Sequence, residues 1–134
     1  MKMLVLVLVL ALAGAGVVQA EPAQSTVAVQ AQDAYKLGLM YRNGGPGVAV
    51  DAGLAAHWIG IAAHGGLAQA MFTLANMLAA GEGVTADAGA ARRWLEEAAA
   101  LGYPAALQGL AMREPDPRQA ELLMRQAAHA LQHP

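Results

Sequence analysis

The chain has no cysteine and a single phenylalanine, and only 4% of its 134 residues are aromatic. Without thiols there is no thiol catalysis, no disulfide framework, no thiolate zinc site and no lipid attached through an N-terminal cysteine. So few aromatics provide neither a large aromatic core nor a base-stacking platform. Charge is scarce and balanced, with 8 Lys+Arg against 10 Asp+Glu and a net charge of −2. The clustered basic face of a nucleic-acid binder is missing. What is abundant is small. About a quarter of the residues are alanine, which favours helices packed closely through short side chains. The length allows one small domain.

The one long hydrophobic run is at the N-terminus. Met1-Lys2 is a short positive start, an apolar stretch runs from Met3 to Val18, and small residues lead to Ala20 before Glu21-Pro22. Val18 and Ala20 suit the −3 and −1 positions of a signal-peptidase site, so residues 1–20 are expected to be a cleaved leader. The stretch is slightly short for a spanning helix, and no membrane span is expected after cleavage. The mature protein is then exported, periplasmic or secreted. Residues 21–32, rich in Ala, Gln and Val, are expected to form a flexible tether.

From Gly45 onward the chain repeats itself at an offset of 36. Gly45, Gly47, Val48, Asp51, Ala52 and Gly53 fall on Gly81, Gly83, Val84, Asp87, Ala88 and Gly89. Ala55, Trp58, Ala62, Ala63 and Gly66 fall on Ala91, Trp94, Ala98, Ala99 and Gly102, so both tryptophans of the chain are included. Upstream the offset is 37, with Leu37-Gly38 on Leu74-Ala75, because the first loop holds one extra residue. A shortened third copy continues with Leu110-Ala111, then Asp116, Ala120, Leu123, Ala127 and Ala128 at an offset of 29 from the second.

Each unit reads as helix, loop, helix. In the second, Ala70, Leu74, Met77 and Leu78 keep helical spacing from about Leu67 to Ala80. Gly81 then supplies a C-cap and Asp87 an N-cap. The next helix runs to about Leu101, with Arg92–Glu96 and Arg93–Glu97 as i,i+4 pairs. Asp116-Pro117 starts the last helix as an N-cap followed by proline. The expected fold is all-α, an α/α solenoid of helix-turn-helix repeats with two full units and a shortened third. The units span about 33–69, 70–105 and 106–131, within a repeat region of 33–131. Gly38, Ala75 and Ala111 are expected at close helix approaches, Trp58, Trp94 and Leu123 between hairpins, and a polar C-terminal cap at the end.

The motif Leu37-Gly38, Tyr41, Gly44 or Gly45, Gly47-Val48, Asp51, Ala55, Trp58, Ala62-Ala63, Gly66 and its second copy resemble the Sel-1-like repeat family, a tetratricopeptide-related class of solenoid. Departures are Ala75 for Gly, Leu78 for Tyr, the extra loop residue and the truncated third unit. The resemblance implies a scaffold used in assemblies, envelope signalling or host interaction, with structural roles for Gly47, Asp51, Trp58, Gly83, Asp87, Trp94 and Asp116. Some exported members are linked to β-lactam binding, but those are rich in disulfides.

Catalytic chemistry finds no constellation. His57 and His64 are seven residues apart, about 10 Å along a helix, too far for one metal ion with ~2 Å bonds. His129 and His133 have a ligand-like spacing at the chain end. No metal and no cofactor are expected. Glu96 and Glu97 each have an arginine one turn earlier, and Gly81-Glu82-Gly83 follows no strand, so the dinucleotide fingerprint fails. A β-lactamase-type hydrolase, the remote alternative, lacks Ser-x-x-Lys. The leading expectation is a non-enzymatic adaptor that binds a protein or peptide. Its site would be a concave face lined by the first helix of each unit, at Lys36, Leu39, Arg42, Asn43, Thr73, Asn76, Gln108 and Met112. Tyr35 and Phe72 are expected between helices. An inhibitor or immunity-type protein for one secreted toxin is the second reading, no nucleic acid is expected, and the Ala-rich terminal faces leave room for a homodimer.

Overall fold

The computed structural model describes the backbone from residue 20 and side chains from residue 26. Residues 1–19 of the expected leader lie outside the described part. Six helices follow in order: α1 Ala20–Asn43, α2 Ala52–His64, α3 Ala68–Ala80, α4 Ala88–Ala100, α5 Pro104–Ala111 and α6 Pro117–Gln132. Each packs on the next in sequence, so α1–α2, α3–α4 and α5–α6 form three hairpins and α2–α3 and α4–α5 are the joints between them. The fold is an all-α solenoid with a shortened third unit. Among the described residues no helix is long and apolar enough to cross a membrane.

The repeated aspartates set the repeat's geometry. Asp51 and Asp87 have nearly the same backbone, φ −145° with ψ 99° and 97°, and their carboxylates accept from Leu54 N–H at 3.0 Å and Ala90 N–H at 2.9 Å. Each capping residue's own N–H donates back across the loop, Asp51 to Tyr41 and Asp87 to Leu78. The extra residue of the first loop is absorbed in a tight turn in which Gly45 and Val48 exchange backbone hydrogen bonds. The two hairpins therefore stay in register despite the insertion. Asp116 caps α6 from a different backbone, accepting from Arg118 N–H.

The core is alanine with three fully buried larger side chains, Ile59, Met77 and Leu95. Helices this lean approach closely: a Cβ on Gly38 would lie 2.5 Å from Ile59 Cγ1. Ala75 and Ala111, at the equivalent positions, are buried as expected.

Two expectations change. The segment 21–32 is part of α1, and Ala31 within it is buried against the α2 C-terminus, facing Gly65. Its alanine and glutamine content supports helix, and the first unit supplies a surface to pack on. Trp58 and Trp94 are half-buried and pack against the core, Trp94 also against His64 of the preceding unit, with ring centroids 4.9 Å apart. Ile59 and Leu95, one residue further on, are fully buried. The end of the third unit is polar only in part: among exposed Arg118, Glu121 and Arg125, Met124, at the repeat position of Ile59 (0% exposed) and Leu95 (1%), is 50% exposed, and Leu131 is exposed two turns further on.

Candidate protein-binding surfaces

The eight candidate residues fall into distinct environments. Leu39, Asn76 and Met112 occupy one repeat position, one per first helix, and form a row across α1, α3 and the end of α5. Leu39 is half-buried, Asn76 exposed and Met112 84% exposed. Gln108 and Asn43 are exposed on the same helices. Lys36 is also exposed, 4.0 Å from Asp33.

Two candidates are committed to structure. Thr73 is only 8% exposed. Its hydroxyl donates to the Gln69 carbonyl at 2.9 Å and lies 3.1 Å from the Tyr35 hydroxyl, tying α1 to α3. Repeat position explains this burial: Thr73 stands where Gly109 meets Leu95 of the preceding unit, whereas Lys36 has no preceding unit within the repeat region. Arg42 makes a bidentate pair with Glu82, Nε–Oε1 2.8 Å and Nη2–Oε2 3.0 Å. The hydrogen bond from Arg42 lowers the Glu82 carboxyl below its ordinary value, and the same bond raises the Arg42 guanidinium. This clasp joins the first unit to the loop of the second. A 40-residue separation between the partners hid it from any local pattern.

Tyr35 and Phe72 are half-buried as expected, and Phe72 packs on Tyr103 with ring centroids 5.5 Å apart. Burial, and then Tyr35, push the Tyr103 hydroxyl above its usual value. Tyr35 and Phe72 each stand one helical turn before a row residue, Leu39 and Asn76.

Concavities lie elsewhere. Three recur beside the second helices, the first between α1 and α2, and the other two where one unit's second helix meets the next hairpin. The first holds Ala34, Trp58 and Ile61; the second Ala63, His64, Met71, Arg93, Trp94 and Glu97; the third includes Ala99, Leu107, Leu122 and Gln126. None of the eight candidates lines them, because the sequence reading considered only first helices. Among the described residues no three metal-ligating side chains converge.

The sequence of the repeats matches the Sel1 repeat model three times, over residues 31–67, 68–103 and 105–130. The chain belongs to the Sel1 repeat family. Sel1 repeats are in general protein–protein interaction modules, typically without catalysis. The chain is similar to the Sel1 repeat protein from Oxalobacter formigenes, with 27% identity, a TM-score of 0.71 and coverage of 75% of this chain and 43% of that one. It is also similar to a protective antigen of uropathogenic Escherichia coli strains that displays an SLR fold. That match has 26% identity, a TM-score of 0.67 and coverage of 74% of this chain and 22% of that one. The chain thus spans less than half of either protein's length. No curated protein matches it.

Proposed function

We propose that this Sel1 repeat protein is an exported, non-enzymatic adaptor that binds a protein partner along its first helices. The observation that carries this reading is the row Leu39, Asn76 and Met112. One residue per unit stands at the same repeat position, and none of the three is buried as Thr73 is. A side chain the repeat does not need for packing is where specificity can reside. The row mixes apolar and amide groups beside half-buried aromatics, a composition suited to a protein surface more than to a small charged ligand. The leader-like N-terminus supports export, and the absence of cysteine fits any compartment.

The test is affinity capture from envelope extract with the tagged protein and with a Leu39→Asp/Met112→Asp variant, the fold of both checked by circular dichroism. A defined partner lost on the variant supports the row. Equal capture by both moves the site off the first helices. A single 1:1 partner that is itself a toxin would select the inhibitor reading. Intact mass of the exported protein tests the leader: cleavage after Ala20 is expected, and retention of Met1–Ala20 contradicts it.

A further inference from the structure

The middle of the three second-helix concavities differs from its neighbours in charge. At about 550 Å³ it is larger than the first and third, at about 370 and 440 Å³. Its repeat-equivalent rim positions are His57, Arg93 and Leu122 on one side, and Ile61, Glu97 and Gln126 on the other. Only the second unit places full opposite charges at both.

Those charges are unspent. Arg92 and Glu96, one residue earlier, close an ion pair at 2.8 Å. Arg93 and Glu97 have the same i,i+4 spacing and were expected to pair, yet no such pair forms, and both line the groove. Between them Trp94 offers an apolar surface with Met71 and Ala63. His64 stands edge-on to Trp94, centroids 4.9 Å apart. Its Nδ1–H donates to the Gly60 carbonyl at 2.7 Å, so in the neutral ring Nε2 faces outward as an acceptor.

We infer that this groove is a second binding site, for an extended segment of a partner protein in which an apolar side chain sits between a basic and an acidic one. The dimensions agree. Four helical residues advance about 6 Å, and two residues of extended chain advance about 6.6 Å. The central side chain points to the Trp94 floor, while its neighbours on the opposite face lean to the rim, the base to Glu97 and the acid to Arg93. The His64 Nε2 is placed to accept a hydrogen bond from a backbone N–H or hydroxyl of the segment.

The inference rests on the protein-binding reading but fails separately from it. The probes are acetylated, amidated tripeptides Lys-Leu-Glu, Lys-Leu-Lys, Glu-Leu-Glu and Lys-Ser-Glu, titrated while the two tryptophan indole N–H signals are followed by NMR. Each matched surface charge is worth up to about fivefold in affinity. Lys-Leu-Glu is expected to bind best and to shift the Trp94 signal more than that of Trp58, with Lys-Ser-Glu weaker. Arg93→Glu should transfer the preference to Lys-Leu-Lys, and Glu97→Arg to Glu-Leu-Glu. No Trp94 shift, equal shifts at both tryptophans, or a ranking unmoved by the substitutions would overturn it. Leu39→Asp/Met112→Asp should leave the tripeptide titrations unchanged even where it abolishes partner capture. Loss of the titrations with that variant would assign both observations to misfolding and overturn a separate site.

Discussion

Gly47 and Gly83 form a natural experiment on repeat stacking. They occupy the same motif position with nearly the same backbone, φ +74° and +70°. Placing alanine at either costs about 1 kcal/mol for a side chain in left-handed backbone, partly offset through the unfolded chain. There the similarity ends. A Cβ on Gly47 meets nothing within 4 Å, whereas a Cβ on Gly83 would overlap the Ala52 carbonyl at the start of α2 in the preceding unit. Both partners are backbone, so the clash cannot be relieved by a rotamer, and the loop must back away from α2 by about 1 Å or more to restore ordinary contact. Overpacking of this kind costs a further ~1–3 kcal/mol. Gly47→Ala should therefore lose about 1 kcal/mol and Gly83→Ala about 2–4 kcal/mol, read as urea midpoints at a shared m-value. Equal losses would mean that the second loop does not seat on the first unit, and the stacking argument would fail.

Leu95→Ala should cost about 2–5 kcal/mol as a buried truncation. Met124→Ala at the equivalent but exposed position should cost under about 1 kcal/mol, and the same urea titrations check both. Asp87→Ala removes a helix cap and should lose about 1 kcal/mol, with Asp87→Asn retaining most of it. The Arg42–Glu82 clasp is one-third exposed on each side, so screening limits its coupling to about 0.5–1 kcal/mol in a double-mutant cycle. Because the folded state lowers the Glu82 carboxyl, that contribution is complete above the unfolded value of about 4.3 and fades as pH falls through the lowered folded value. A coupling that stays constant from pH 7 to pH 2 contradicts it.

The repeat was legible because it is written in residues with one job each. Asp51 and Asp87 cap, Gly81 turns the chain with φ +69°, and alanines mark close approach. Each is a local requirement that spacing exposes. What escaped was set by contacts between units. Thr73 looks like surface on its own helix and is buried because another unit stacks on that side. Arg42 looks free and is held by Glu82, 40 residues away. The repeat marks both tryptophans, yet the fully buried side chains are Ile59 and Leu95, one residue further on, which carry no identity between copies for spacing to expose. Segment 21–32 shows the converse, a stretch with no repeat signature that is nevertheless helical. The charged groove at Trp94 was missed because Arg93 and Glu97 have the spacing of a routine surface pair.

In the proposed function, the first-helix row meets a partner protein. A photo-crosslinking side chain at Asn76, compared with one at the exposed Gln119 on α6, tests it most directly in envelope extract. A discrete protein adduct is expected from position 76 and none from position 119. Excess unlabelled protein should compete it away, and the Leu39→Asp/Met112→Asp variant should not. The same adducts from both positions, or competition by that variant, would contradict it.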